Sequence, residues 1–224
     1  LLSYNIFFGK KVDQILDWLT TRKLPDIICF QEFPVKFLDD FQRLFEVYEY
    51  NCCFTSATIN KKGIYGELTA FNTRKLHLIS NETINLGESK LEKVVYRHMA
   101  RKTALLTKFD KLTVINVHLG TLVLNKKRLD QLETVVSHLP NHQKPSIIVG
   151  DYNYSNLTGL NRLVKFMQRF GFERAKNSKR TQHFISLFPQ QIDHLFYKDL
   201  AVKKLEVLNI KLSDHFPLLA SLLV

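Results

Sequence analysis

Residues 146–153 read Ser-Ile-Ile-Val-Gly-Asp-Tyr-Asn, a short apolar run that ends in polar side chains. A run of this length, rich in β-branched residues and followed by a glycine, predicts a buried β-strand. Asp151 and Asn153 follow it directly. Because strand ends are rigid, polar groups placed there can converge on one edge of a sheet. The end of this strand is therefore the first candidate position for a functional site.

The same arrangement recurs along the chain. Further polar residues lie in or directly after apolar runs, namely Asn5, Glu32 and His118. Others stand at the start of apolar runs, namely Asp193, Asp214 and His215. If the strands that carry these last three run antiparallel to the others, their starts lie beside the others' ends. All of these side chains are then expected to share one pocket.

This set of side chains points to a hard metal ion and to proton transfer. A single Asp, Glu or His at a strand end more often caps a turn than performs chemistry, so the group carries the argument. Oxygen ligands from several strands suit Mg²⁺, with Mn²⁺ as an alternative. Histidines beside carboxylates suit proton transfer near neutral pH. Cys29, Cys52 and Cys53 show no Cys-x-x-Cys spacing, so neither a disulfide framework nor a thiolate zinc site is expected.

The composition indicates a globular protein with a basic surface. The 224 residues are 45% hydrophobic and 12% aromatic, which excludes an intrinsically disordered chain. The net charge of +11 favours nucleic acid, anionic lipid or a phosphorylated substrate as partner; the alternative is a basic surface without a partner. No apolar stretch reaches the ~18 residues of a membrane span. Separately, we expect the protein to be a monomer. We expect a cytoplasmic protein; because the chain begins at Leu1 rather than Met, secretion stays open as the alternative.

Alternating helical and strand patterns predict one α/β domain over residues 1–224. Apolar residues at helical spacing predict four helices, over residues 12–19, 37–45, 129–139 and 160–170. Strand-like runs dominate the rest, above all between residues 47 and 119. One small sheet cannot hold this many strands, so we expect two packed sheets with helices outside.

Six short blocks, in order along the chain, resemble the endonuclease/exonuclease/phosphatase superfamily, which has the DNase I-like fold. They are Ser-Tyr-Asn-Ile at 3–6, Phe-Gln-Glu at 30–32, Asn-Val-His-Leu at 116–119, Gly-Asp-Tyr-Asn at 150–153, Ile-Asp-His-Leu-Phe at 192–196 and Ser-Asp-His at 213–215. The resemblance implies a four-layer α/β/β/α sandwich of two packed, mostly antiparallel sheets with helices outside. It also implies Mg²⁺-dependent hydrolysis of a phosphate ester.

The resemblance assigns some of these residues to metal binding and others to proton transfer. It implies that Glu32 is the main metal ligand, assisted by Asn5 and Asp214. It also implies that His215, oriented by Asp193, is the general base for an attacking water. The division is physically sensible, because a metal offsets the charge that builds on the phosphate while a carboxylate-paired histidine takes a proton.

Four further residues would act on the water and the phosphate. The resemblance implies that Asp151 and Asn153 position the attacking water and a phosphate oxygen. It leaves open whether Asp151 or the carboxylate-paired histidine is the base. His118 and Arg101, the latter within Ala-Arg-Lys-Thr-Ala at 100–104, would bind the phosphate as negative charge builds.

A local match concerns Glu67. Tyr-Gly-Glu-Leu at 65–68 resembles a DNase I segment, which implies that Glu67 holds His118 as a charged acid near the leaving group. The alternative is that Glu67 is an ordinary exposed strand residue. His118 stands where apurinic endonucleases carry a Tyr, which disfavours that branch. The Trp-Cys-Asp-Arg-like block of inositol polyphosphate 5-phosphatases is replaced here by Gln-Ile-Asp-His at 191–194, which disfavours that branch too.

The expected function is a Mg²⁺-dependent phosphodiesterase acting on nucleic acid, with DNA as the first candidate. The alternatives are a phosphatase or lipid phosphodiesterase of the same fold and, from another class, a catalytically silent nucleic-acid-binding module. A binding module has no need of the intact carboxylate and histidine set. Basic residues at loops near the pocket would grip phosphates, namely Lys126, Lys127, Arg128, Lys179 and Arg180. A nearby apolar group is interpreted as strand core rather than as an exposed loop, namely Phe184, Ile185, Leu187 and Phe188.

Overall fold

The computed structural model describes residues 1–96, 99–139, 145–154, 157–177, 179–182 and 190–223, and Phe184, Ile185, Leu187 and Phe188 lie outside these ranges. Twelve strands in the described ranges form two mixed sheets of six strands each. The first sheet runs β11 (Ala201–Val207), β12 (Leu218–Leu223), β1 (Leu2–Asn5), β2 (Ile27–Pro34), β4 (Gly63–Asn72) and β3 (Tyr50–Asn60). The second runs β5 (Leu78–Glu88), β6 (Met99–Phe109), β7 (Thr113–His118), β8 (Ser146–Asp151), β10 (Asp193–Lys198) and the short β9 (Glu173–Arg174).

The two sheets pack face to face and are linked at one corner. There β3 pairs with β6 through Thr58 and Ile59. Apolar side chains from both inner faces form one buried cluster, which includes Cys29 of β2, Phe71 of β4 and Val149 of β8. Cys29 is therefore a small core residue and not a reactive thiol, and burial raises its pKa to about 12.

Helices cover the outer faces of both sheets. The four predicted helices are present as α1 (Val12–Thr20), α2 (Leu38–Glu46), α4 (Asn125–Ser137) and α5 (Leu157–Gln168). The first two pack on the first sheet and the last two on the second. On β2, Ile28 and Phe30 face the helices whereas Ile27 faces the other sheet, as the twofold period of a strand requires. This is the predicted α/β/β/α order. None of the helices in the described ranges is long and apolar enough to cross a membrane.

A fifth helix, α3 (Lys90–Tyr96), interrupts the region that the sequence analysis predicts as strands. Ser89 Oγ accepts a hydrogen bond of 3.2 Å from the backbone N–H of Glu92, which caps the first turn. The Ser-x-x-Glu spacing at 89–92 is that of a capping box. The prediction missed α3 because a helix of seven residues is too short for its apolar spacing to stand out from the strand-like runs around it.

A buried polar link joins the two sheets next to the predicted site residues. Gln31 Nε2, on β2, donates to Asn116 Oδ1, on β7, at 2.7 Å. Asn116 Nδ2 in turn donates to the carbonyl oxygens of Phe30 at 2.9 Å and Leu68 at 3.0 Å. Buried hydrogen bonds of this kind are costly to break, so the link fixes how the two sheets lie against each other.

Candidate active site

The predicted polar residues meet at one edge of the sandwich because of strand direction. In the first sheet β1 and β2 are parallel, and in the second sheet β7 and β8 are parallel. β10 is antiparallel to β8, so Asp193 at its start pairs with Asp151 at the end of β8. β12 is antiparallel to β1, and Ser213 Oγ, shortly before β12, donates to the carbonyl oxygen of Asn5 at 2.7 Å. The antiparallel arrangement that the sequence analysis sets as the condition for one shared pocket is present.

A histidine–carboxylate pair forms one side of the site. His215 Nδ1 lies 3.0 Å from Oδ1 and 2.9 Å from Oδ2 of Asp193, and both side chains are buried. The other ring nitrogen, Nε2, faces Asp151 Oδ2 at 3.8 Å. Burial alone would lower the pKa of His215, but the carboxylates of Asp193, Asp151 and Asp214 raise it above the ordinary value. The ring is therefore held at Nδ1 and presents Nε2 to the site.

Glu32 is presented by an irregular stretch of β2. The pairing of β2 with β4 shifts between Phe30 and Phe33, and Glu32 itself has a φ of 57°. Its Oε2 accepts a hydrogen bond of 3.1 Å from the backbone N–H of Phe8, another residue of positive φ. Bulky residues in this conformation are strained, and such strain gathers at functional sites. Burial raises the pKa of the Glu32 carboxyl.

Asn5 connects Glu32 with Asp151. Its Nδ2 donates to Asp151 Oδ2 at 3.2 Å and lies 3.5 Å from Glu32 Oε1. Its Oδ1 accepts from the backbone N–H of Phe7 at 3.1 Å, where β1 has already ended and the chain turns. Asn5 thus directs its nitrogen at the carboxylates, whereas the resemblance implies a metal ligand, which would offer oxygen. In this arrangement Asn5 orients the carboxylates.

Asp151 and Asn153 form a tight turn after β8. Asp151 Oδ1 accepts from the backbone N–H of Asn153 at 2.9 Å, and Asn153 Nδ2 donates to the carbonyl oxygen of Leu119 at 3.0 Å. A Cβ at Gly150, where φ is +142°, would lie 2.0 Å from the carbonyl oxygen of Val117, so only glycine allows β7 and β8 this close approach. Burial raises the pKa of Asp151, as does the nearby Asp193 carboxylate.

His118 lies directly opposite Asp151 in the register of β7 and β8. Its Nε2 is 3.7 Å from Asp151 Oδ2 and 3.8 Å from Glu32 Oε1. Burial lowers the pKa of His118 well below the ordinary value, and the cationic Lys102 and His215 lower it further. The imidazole is therefore neutral, which differs from the charged acid that the sequence resemblance implies.

Glu67 does not pair with His118. Its Oε2 accepts a hydrogen bond of 2.7 Å from Thr103 Oγ1, and no ion pair joins Glu67 to His118 among the described residues. Glu67 is also buried, so it is not the ordinary exposed strand residue of the alternative interpretation. Burial raises the pKa of Glu67 to about 8, so the side chain is an uncharged donor or acceptor at neutral pH.

Replacing Glu67 by glutamine is expected to remove a pH-dependent loss of stability. The pKa of Glu67 is about 8 in the folded protein, against about 4.3 for an unfolded glutamate. The contribution of the bound proton to the free energy of unfolding is complete below the pKa of Glu67 in the unfolded state. It decreases as the pH rises towards the pKa of Glu67 in the folded state, by up to about 1.4 kcal/mol per pH unit. The groups that face Glu67 are Thr103, the Lys102 ammonium, which opposes this shift, and the Glu32 carboxylate, which adds to it.

The difference in the free energy of unfolding, variant minus wild type, is therefore expected to rise by on the order of a few kcal/mol from about pH 5 to about pH 8. Glu46→Gln, on an exposed residue of α2, is the matched control and should show no such trend. A difference that stays constant with pH would mean that Glu67 is ionised in the folded protein.

The buried cation next to the site is Lys102 and not Arg101. Arg101 is exposed in a separate cavity with Thr83 and Asn85, and no hydrogen bond or ion pair links it to the site within the described ranges. Lys102 is buried, and its Nζ lies 3.3 Å from Glu92 Oε2. Its charge lowers the pKa of His118. The motif Ala-Arg-Lys-Thr-Ala contains both cations, and the sequence alone did not show which of them faces the site.

The predicted basic residues divide into two groups. Lys126 and Lys127 are exposed at the start of α4, and Lys179 and Arg180 are exposed beside the site, where Gln182 forms a bridge with His215. Arg128 is different because its guanidinium is buried and donates to the carbonyl oxygens of Gly120 at 2.8 Å and Thr121 at 2.6 Å. Arg128 therefore holds the loop after β7 in place and is not available to grip phosphates.

The site contains more negative than positive charge. Four carboxylates surround it, those of Glu32, Asp151, Asp193 and Asp214, whereas Lys102 is the buried lysine that influences it. Oxygens of Asp151 and Asp193 and a nitrogen of His215 lie within 4.8 Å of one another, a buried group that could hold a metal ion. Burial raises the pKa of Glu32, and the negative charge of Asp214 adds to this. Carboxylate oxygens make up most of the donor atoms in this site, which fits a hard divalent cation.

Comparison with known proteins agrees with this architecture. The sequence profile of the Endonuclease/Exonuclease/phosphatase family matches residues 2–215. A UPF0294 protein of Yersinia enterocolitica is 33% identical over 128 residues, which cover 53% of this chain and 47% of that protein. The chain thus spans about half the length of this curated relative.

Solved structures share the fold at low sequence identity. An endonuclease/exonuclease/phosphatase from Bacteroides vulgatus has a TM-score of 0.78 and 20% identity, over 100% of this chain and 97% of that one. The Bacteroides thetaiotaomicron mannosyl-6-phosphatase has a TM-score of 0.70 and 17% identity, over 100% and 98%. The 3′ phosphatase of Neisseria, bound to a product DNA hairpin, has a TM-score of 0.71 and 15% identity, over 98% and 97%. The chain therefore belongs to the Endonuclease/Exonuclease/phosphatase family, whose members hydrolyse phosphoester bonds.

Proposed function

We propose that this chain is a Mg²⁺-dependent phosphodiesterase that hydrolyses nucleic acid, with DNA as the preferred substrate. The observation that carries the proposal is the placement of the His215–Asp193 pair opposite Glu32, Asp151 and His118 in one largely buried site. A proton acceptor, neutral imidazole and surplus carboxylates are the parts that water-driven cleavage of a phosphate ester needs.

The metal ion would be held by Glu32 and Asp214: the Asp214 charge adds to the raised pKa of Glu32, and both carboxylates are oriented by hydrogen bonds. Asn5 would keep the Glu32 and Asp151 carboxylates in position. When bound, Mg²⁺ supplies a Lewis acid that offsets negative charge on the phosphate, and Mn²⁺ satisfies the same oxygen ligands. All-oxygen donors favour these ions over zinc.

The protein residues then divide the proton and charge work. His215 would accept a proton from the attacking water at Nε2, because Asp193 holds the ring through Nδ1. This favours His215 over Asp151 as the base. The surrounding carboxylates raise the pKa of His215, so the acceptor is the fraction of rings that has already released its own Nε2 proton. Asp151 and Asn153 orient the water and a phosphate oxygen. Neutral His118 would donate a hydrogen bond from Nε2 to a phosphate oxygen. This nitrogen faces the Glu32 and Asp151 carboxylates, so the phosphate would bind beside them.

Nucleic acid is proposed over a small phosphoester because of charge. The chain carries a net charge of +11, and the exposed Lys179 and Arg180 lie in the segment that bridges to His215. One fold neighbour is a 3′ phosphatase bound to a DNA hairpin, whereas another is a sugar phosphatase, so the neighbours allow both substrate classes. A basic surface beside the site suits a polyanion, whose phosphates extend beyond the bond that is cut.

The salt dependence of DNA binding tests this choice. Binding of duplex DNA to a His215→Ala protein, which keeps the DNA uncut, is expected to weaken steeply and linearly in log salt, with a slope of about −0.9 per phosphate contact. Replacing both Lys179 and Arg180 by alanine should reduce the slope by up to about two units. Replacing Arg22 and Lys23, which follow α1 and precede β2, removes the same charge away from the site and should change the slope far less. A shallow slope that the Lys179 and Arg180 replacement does not change would favour a small-substrate phosphatase.

A further inference from the structure

Helix α3 turns an apolar face to solvent. Leu91, Val94 and Val95 lie at the i, i+3 and i+4 spacing of one helix face, and they are 55%, 73% and 54% exposed. Glu92, on the other side of the helix, is buried. A surface helix of a soluble domain normally shows the reverse, with apolar residues inside and polar residues outside. Single exposed apolar residues need no explanation, but a stripe of them does.

A neighbouring loop extends this apolar face. Glu92 Oε1 accepts hydrogen bonds from the backbone N–H groups of Thr121 at 2.6 Å and Leu122 at 3.2 Å, which ties α3 to the loop after β7. Leu124, at the end of that loop, is 81% exposed. We call the resulting surface the α3 patch; it consists of Leu91, Val94, Val95, Leu122, Val123 and Leu124.

The charges around the α3 patch favour an anionic partner. Lys93, Lys126 and Lys127 are exposed within or next to it, and two acidic residues, Glu88 and Asp130, lie at the border of the same cavity. The local balance is therefore slightly positive, on a chain whose net charge is +11. Long lysine side chains can keep their charge in water while apolar neighbours enter a nonpolar layer.

The composition of the α3 patch favours lipid over a protein partner. Protein interfaces are enriched in aromatic residues and depleted in lysine, whereas the α3 patch is purely aliphatic and has lysines beside it. An apolar face with flanking lysines is the pattern of segments that lie in the interface of an anionic bilayer. We propose that the α3 patch docks the protein on the surface of a lipid bilayer with anionic headgroups.

The patch is mechanically connected to the site. Glu92 binds Lys102 through Oε2 and the loop through Oε1, and that loop starts directly after His118 and Leu119. Arg128 and Gln131 hold the same loop through Gly120. Docking by the α3 patch would therefore place the loop that follows His118 next to the membrane surface. The proposal does not depend on which phosphoester the site hydrolyses.

Vesicle binding tests the proposal. The chain is mixed with sedimentable vesicles of phosphatidylcholine alone or of phosphatidylcholine with phosphatidylglycerol, and the bound fraction is measured. Wild type is expected to bind the phosphatidylglycerol vesicles, and Val94→Asp combined with Leu124→Asp should lower the partition coefficient about tenfold or more, because a charge is costly in the bilayer. The matched control is Val47→Asp combined with Ile79→Asp, which adds the same two charges at residues that are 80% and 54% exposed, after α2 and in β5, and it should bind as wild type does.

Circular dichroism shows whether the variants are folded, and Val94→Ser with Leu124→Ser is the milder pair that keeps the test valid if the aspartates disturb folding. Three results would each overturn the proposal. The first is that wild type fails to bind phosphatidylglycerol vesicles. The second is that the patch variants bind as wild type does, so that binding reflects net charge alone. The third is that the chain self-associates through the α3 patch and does not bind vesicles.

Discussion

His215→Ala is expected to lower kcat by about 10²-fold or more, the range for loss of a general base. The imidazole is held by Asp193 at Nδ1 and faces Asp151 with Nε2, so the variant loses the nitrogen that is proposed to accept the proton. Asp193→Asn should cause a loss of similar kind, because an amide no longer fixes the ring with Nε2 free to accept a proton. Residues that act as one unit do not give additive losses.

The double variant His215→Ala, Asp193→Asn is therefore expected to be about as slow as the worse single variant. Rates are compared under saturating substrate and metal, with His77→Ala as the control at an exposed histidine. Losses that multiply would show that the two residues act independently, and the histidine–carboxylate pair would then not be the base unit.

Glu32→Gln is expected to raise the Mg²⁺ concentration needed for half-maximal activity by about 100-fold or more, since changes even to residues behind a metal ligand cost 10- to 100-fold. Glutamine keeps the shape of the side chain, and its amide oxygen can still accept from the backbone N–H of Phe8. The fold should therefore persist, and only the charge that attracts the cation is lost.

Metal titration of activity is to be paired with thermal melting in the absence of metal. Removing a carboxylate from a crowded cluster should leave the melting temperature unchanged or raise it, because burial and the neighbouring Asp214 both disfavour the Glu32 charge. Glu46→Gln serves as the exposed control. A variant that unfolds, or one whose metal requirement is unchanged, would remove Glu32 from the metal site.

Much of the fold could be predicted because burial leaves a clear pattern in the sequence. The strand at 146–151 contains an uninterrupted apolar run at 147–149 because it is covered on both faces, and α1 shows helical spacing because only one of its faces is buried. The polar residues at strand ends were visible for the same reason, since they interrupt these patterns. Helix α3 has the same spacing at Leu91, Val94 and Val95, but its seven residues are too few for that spacing to be told from a strand-like run.

The details of the site depend on backbone geometry that local sequence does not show. Phe7 and Phe8 both have positive φ, a conformation that no propensity predicts for phenylalanine. The strand period does not tell Lys102 from Arg101, because β6 is buried on both faces from Lys102 onwards. Glu67 was matched to a partner by motif, whereas the nearer hydroxyl of Thr103 takes its hydrogen bond.

The most direct test of the central claim is the hydrolysis of labelled duplex DNA by the wild-type chain, with Mg²⁺ and then with excess chelator. The account predicts cleavage of phosphodiester bonds in Mg²⁺, no cleavage in chelator, and recovery when Mg²⁺ or Mn²⁺ is restored. Cleavage that persists in excess chelator would contradict the metal assignment. Intact DNA in the presence of Mg²⁺, under conditions in which a sugar phosphate is hydrolysed, would contradict the proposed substrate.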